Sequence, residues 1–163
     1  MSNMVKTASG ESTVTPDNAL IVAASSIADK MSLVSRVITL MLDSEAYLYD
    51  SLYNLKKLLI APIYKDQAFV VVENSKVTAY ASWAWLTEEA EQRFIAGQGL
   101  EVTDWSAGDR LWLVDVISPM KDPSFLLSFT RQIGEKYGHK GKTIKFRRYN
   151  PETKAFDVRE VKL

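Results

Sequence analysis

Apolar positions recur along this chain in two different periods, and the change from one to the other divides it into elements. Ile27, Met31, Val34, Ile38 and Met41 are spaced four, three, four and three residues apart, which traces one face of a helix. Thr15-Pro16 reads as the start of that helix, a hydroxyl cap with proline at the first helical position. A second helical stretch from about Ser44 carries Tyr47, Leu48, Ser51, Leu52 and Leu55, and is expected to close before Pro62.

Beyond Pro62 the pattern becomes that of strands. Ala68-Phe69-Val70-Val71-Val72 is a β-branched run, Glu73-Asn74-Ser75-Lys76 a turn, and residues 77–83 a second strand, together an antiparallel hairpin. Thr87 ahead of Glu88, Glu89 and Glu91 predicts a capped helix with an acidic first turn, stopped by Gly97 and Gly99. Residues 111–117 are the most apolar strand and are expected at the centre of a sheet, ended by Ser118-Pro119. Asp122-Pro123 opens a helix over 124–137 that halts at Gly138, and strands at 143–149 and 156–161 form a closing hairpin around Asn150-Pro151-Glu152-Thr153. The sum is a single α/β domain over residues 16–163, a mostly antiparallel central sheet flanked by helices with two helices leading. The polar, Ser/Thr-rich residues 1–15 are expected to be a flexible tail.

Composition removes several classes of function. With 47% hydrophobic and 25% charged residues the chain has a globular profile. It has no cysteine, so disulfides, thiolate nucleophiles and cysteine metal sites are excluded. Twenty basic residues balance twenty acidic ones, giving no general attraction to nucleic acid or membrane. No apolar run approaches the roughly 20 residues of a membrane helix, and the N-terminus lacks a signal-peptide pattern, so a cytoplasmic protein is expected. No phosphate loop, dinucleotide fingerprint, metalloprotease helix or calcium loop occurs, and no cofactor or metal is expected.

Three patches carry a family resemblance: Ala79-Tyr80-Ala81-Ser82-Trp83-Ala84; Asp104-Trp105-Ser106-Ala107-Gly108-Asp109-Arg110-Leu111-Trp112-Leu113-Val114-Asp115; and the helix pair with Pro62 ahead of the hairpin. In order and spacing, over roughly residues 33–163, the chain resembles the acyltransferases that activate RTX-type toxins by fatty-acylating internal lysines. The resemblance implies a fold similar to the GNAT acetyltransferases, acyl carrier protein as donor, a target protein as acceptor and a tendency to form homodimers. It also implies a catalytic pair, a histidine in a Ser-x-x-His stretch and an aspartate at the end of the central strand. Asp115 matches the aspartate. The matching early stretch is Ser44-Glu45-Ala46-Tyr47, with Ser44 kept and Tyr47 in the histidine's place. The only histidine, His139, lies far downstream.

The chemistry explains why the pair matters. A lysine amine titrates near about 10.4 and must lose a proton before it attacks a thioester, so a base working near neutrality is needed. Asp115 could orient such a base, or take the proton itself if burial raised its pKa. Tyr47, near about 10 when unperturbed, is a poor base but could donate a proton to a leaving thiolate. Each group also has a plainer reading. Asp115 could pair with Arg110, Tyr47 could pack with Tyr49 and Tyr53, the four tryptophans could all be core, and Asp109-Arg110 could be a turn pair. His139 is expected at the surface or capping a helix. Lys140, Lys142, Lys145, Arg147 and Arg148 either greet an acidic partner such as acyl carrier protein or guard a strand edge. Gln98-Gly99 does not form the GNAT coenzyme A loop. Two functions follow as expectations: a protein-lysine acyltransferase with Asp115, Tyr47 and Ser44 in its site, or a degenerate scaffold of viral or mobile-element origin that binds and modulates another protein.

Overall fold

The computed structural model describes residues 20–22, 26–118, 130–131 and 134–163. Its sheet has six strands in sequential order: β1 (Leu20–Val22), β2 (Ala68–Glu73), β3 (Lys76–Leu86), β4 (Arg110–Ile117), β5 (Thr143–Asn150) and β6 (Ala155–Lys162). Every neighbouring pair is antiparallel except β4 with β5. The expected mostly antiparallel sheet with flanking helices is therefore the observed fold, and residues 111–117 are central in it.

The hairpin of β2 and β3 turns through Asn74 and Ser75, both at positive φ (49° and 63°), the backbone of a tight turn that matches strand twist. Helix α4 (Glu88–Ile95) is capped by the Thr87 hydroxyl, which accepts from the Ala90 N–H. Residues 130–131 and 134–136 are helical and the chain turns at Gly138 (φ 70°); the rest of the helix expected over 124–137 lies outside the described residues.

The leading helices differ from expectation. Helix α1 runs Ile27–Leu42 behind a Ser26–Asp29 capping box, not from Pro16. Residues 20–22 pair with β2 as an edge strand, while Thr15-Pro16 and the tail fall outside the described residues. The face of α1 that packs on the sheet is Leu33, Val37 and Met41, against Val70, Val77, Tyr80 and Ile117. Ile27 and Met31 are exposed.

The second helical stretch is broken. Residues 45–49 are turns, α2 spans Leu52–Leu55, a π-helical turn covers Lys56–Ile60, and α3 (Ala61–Tyr64) carries Pro62 inside it. Proline has no N–H for the carbonyl one α-turn back and crowds it, so widening the turn lets the helix pass. The carbonyl concerned, Leu58 O, instead accepts from the buried Tyr80 hydroxyl at 3.3 Å.

Candidate active site

Asp115 owes its direction to a bulge. In the β3–β4 ladder Ser82 faces Asp115 and Trp83 faces Leu113, so Val114 is an extra residue on β4. Leu111 and Leu113 point into one core with Trp83. After the bulge Asp115 lies across from Ser82 on the other face, which α1 and α3 cover.

There it meets Tyr47. The Tyr47 hydroxyl donates to Asp115 Oδ1 at 2.5 Å. Two consecutive turns place that tyrosine: its N–H donates to Ser44 O, and its own carbonyl accepts from Asp50 N–H, each at 3.0 Å. Ser44 thus contributes its carbonyl to the turn, and its side chain stands outside the Tyr47–Asp115 contact. The Ser82 hydroxyl is fully buried and has no hydrogen-bond partner among the described residues.

Burial is the largest influence on Asp115 and lifts its pKa from 3.8 to about 6; the Tyr47 hydroxyl, the Val116 backbone N–H and the charge of Arg147 pull the other way. Burial, followed by the Asp115 charge, pushes Tyr47 far above the ordinary tyrosine range. Tyr80 is driven up by the same two causes. One carboxyl is therefore set near neutrality while both phenols hold their protons. That polarity suits Asp115 to accepting a proton and Tyr47 to positioning it.

The site opens at a fork. Parallel strands β4 and β5 pair only at Trp112 with Lys145 and Leu113 with Phe146. Beyond these, β4 stays with β3 to Ile117 and β5 with β6 to Asn150. Asp115 lies on one arm of the fork and Arg147 on the other.

His139 lies elsewhere. It is half-buried edge-on against Trp83 and Trp85, with ring centroids 6.1 and 5.1 Å away, on the sheet face opposite Asp115. The capping expectation holds, since the His139 N–H donates to Gly134 O at 2.8 Å at the end of the helical residues 134–136. The expected surface position is corrected: a glycine-flanked ring can still fold inward onto an aromatic wall. Trp83, Trp105 and Trp112 are fully buried, as a core reading expects, but Trp85 is only half-buried and carries the Lys142 ammonium over its ring at 4.5 Å. Tyr49 and Tyr53 are exposed rather than packed with Tyr47.

The Asp109-Arg110 patch is built differently from a turn pair. Arg110 bonds Glu91 at 2.8 Å, and the same buried carboxylate takes Lys145 and Trp112 Nε1, each at 2.8 Å. Burial alone would raise the pKa of Glu91; its bonds to Lys145 and Trp112 and the charges of Lys145 and Arg110 outweigh that and hold it low. Gln67 clasps the preceding loop, donating to Trp105 O at 2.7 Å and accepting from Ser106 Oγ at 2.8 Å. Gly108 passes so close to Leu86 that a Cβ there would stand 2.1 Å from the Leu86 carbonyl oxygen. Sequence reasoning missed the Glu91 and Gln67 hubs, since neither has a local signature.

Residues 27–161 match the profile of HlyC, the RTX toxin acyltransferase family. The chain belongs to this family. It is similar to the RTX-II toxin-activating lysine-acyltransferase ApxIIC of Actinobacillus pleuropneumoniae, 42% identical over 79 residues, 48% of this chain and 49% of that protein. It is also similar to the protein-lysine myristoyltransferase RtxC of Kingella kingae, 31% identical over 106 residues, 64% of each chain. A third relative, the protein-lysine myristoyltransferase HlyC of Escherichia coli, is 31% identical over 75 residues, 45% of this chain and 44% of that one. These alignments therefore span about half to two-thirds of each relative. Among solved structures, a GNAT-family acetyltransferase of Streptococcus agalactiae superposes with a TM-score of 0.51 at 16% identity, covering 85% of this chain and 80% of that one. That likeness bears on the fold, which is GNAT-like.

Proposed function

We propose that this protein moves a fatty acyl group from acyl carrier protein to a lysine of a target protein, with Asp115 as the base. The observation that carries the proposal is the Tyr47–Asp115 contact at the fork between β4 and β5. It joins the two positions at which the resemblance expects the catalytic pair. The lysine amine attacks the thioester carbonyl, its proton passes to Asp115, and the departing thiolate takes up a proton as the amide forms. A carboxyl near 6 is mostly ionised at neutral pH yet basic enough to share a proton in the transition state. Tyr47 holds its own proton and fixes the orientation of the carboxylate.

The test is intact-mass spectrometry of lysine peptides and host lysate incubated with the protein and acyl-loaded carrier protein. A mass gain on lysine that falls by about 10²–10⁴ in rate in Asp115→Asn is expected. A folded wild-type protein that transfers nothing would sink the proposal. One observation favours the binding-scaffold alternative in that event: Leu48, Tyr49, Leu52 and Tyr53 are exposed immediately beside Tyr47, a surface a protein partner could cover.

A further inference from the structure

A tetrahedral intermediate needs a proton acceptor for the amine and also donors for the oxyanion. Asp115 is the first; the chemistry above leaves the second unassigned. Arg147 is the first residue of β5 beyond its last pairing with β4. Lys145 and Arg147 are two apart on the strand and so share a face, and both contacts run to α4: Lys145 to Glu91 and Arg147 Nη1 to Phe94 O at 2.7 Å. The guanidinium lies 3.8 Å from the Phe94 ring centroid and 4.9 Å from that of Phe156. Lys145 and Arg110 are both paired with Glu91, and Arg93 with Asp104. Among the described residues the Arg147 side chain joins no ion pair, and the bond to Phe94 O is its single hydrogen bond. Capping the end of α4 accounts for Nη1 alone, leaving further N–H donors of a five-donor fork.

We infer that Arg147 is a catalytic residue whose guanidinium donates hydrogen bonds to the thioester carbonyl oxygen as that oxygen becomes an oxyanion. The inference rests on the acyl-transfer reading above. As the nitrogen–carbon bond forms, the carbonyl π pair moves onto oxygen, and the Arg147 N–H groups donate hydrogen bonds to the oxyanion. When the pair returns, the carbon–sulfur bond breaks and the thiolate leaves, while the amine proton goes to Asp115 and on to the thiol. The two arms of the fork thus carry opposite charges, and the reacting carbonyl lies between them. Each group's charge is felt at the other's titration, which fits a short span across the fork.

The test compares two acceptors, a lysine peptide and hydroxylamine, with myristoyl-loaded acyl carrier protein as donor. Hydroxylamine is a far weaker base than lysine and is already neutral at about pH 7.5; its more acidic adduct sheds its proton to water, so it leans less on Asp115 but needs the same oxyanion stabilisation. Arg147→Gln is expected to lose about 10²-fold in kcat with both acceptors and to keep KM for the donor. Added guanidinium is expected to restore part of the rate of Arg147→Ala. Asp115→Asn should lose far more with lysine than with hydroxylamine. A rate within about threefold of wild type in Arg147→Gln, or a loss confined to KM, would overturn the assignment. Should that variant fail to fold, Arg147→Lys keeps the cation without the fork geometry; a loss of about tenfold supports the inference and wild-type turnover overturns it. Wild-type protein that acylates neither acceptor overturns the acyl-transfer reading, and the inference with it.

Discussion

Asp115 and Tyr47 form a pair in which each partner alters what the other can do. The Tyr47 hydroxyl lowers the pKa of Asp115 against the larger upward push of burial. Tyr47→Phe removes that restraint, so the pH at which transfer begins to rise should move upward, as a profile of kcat/KM against pH would register. An unmoved profile would mean that the contact does not govern the reacting carboxyl. Asp115 and Tyr47 were singled out in the sequence by the family resemblance, which expects an aspartate at the end of the central strand and a catalytic residue three after Ser44; periodicity and spacing alone mark neither. Their contact was not, because it depends on a one-residue bulge at Val114 and on turns at 45–49, neither of which leaves a periodic trace. Arg147 was visible only as one of five clustered cations. What separates it from Lys145 is the buried carboxylate of Glu91, which takes one and leaves the other.

Between elements, the D-W-x-x-G-D-R stretch works as a clasp. Its loop returns to β3 through Trp85 N–H to Trp105 O at 2.8 Å and Gly108 N–H to Trp85 O at 2.9 Å, and Arg110 ties it to α4. Gly108→Ala sets a methyl against backbone that cannot yield and should cost about 3 kcal/mol or more, read from urea unfolding. Glu91→Ala strands the Trp112 N–H and the Lys145 ammonium, leaving Arg110 only Glu88, and should cost about 3 kcal/mol. A loss below about 1 kcal/mol would show that α4 is held by Phe94 and Ala90 packing alone. Strands β2 to β6 and helix α4 were readable because their apolar spacing and caps are local. The leading helices were misjudged for opposite reasons. The edge strand at 20–22 exists only through pairing with β2, and Pro62, ordinarily a stop, is carried through by a π turn and the Tyr80 hydroxyl.

At the scale of the whole molecule, the buried carboxyl of Asp115 exchanges stability for chemistry. Its folded pKa, about 6, lies above the unfolded value of 3.8, so the folded state binds this proton more tightly. The stability it contributes is fullest below about pH 4 and is lost as pH rises through 6, by at most about 3 kcal/mol. Asp115→Asn should therefore melt higher than wild type at pH 8 and alike at pH 4; an equal difference at both would deny the raised pKa. Among the described residues no helix is long and apolar enough to cross a membrane, and no cluster of ligands suits a metal ion. The most direct measurement is the slope of log kcat/KM for lysine acylation against pH. If Asp115 is the base, both it and the amine must lose a proton, giving a slope of about two below pH 6 and about one above it. The lower break should vanish in Asp115→Asn. A wild-type slope of one throughout would contradict the assignment of the base.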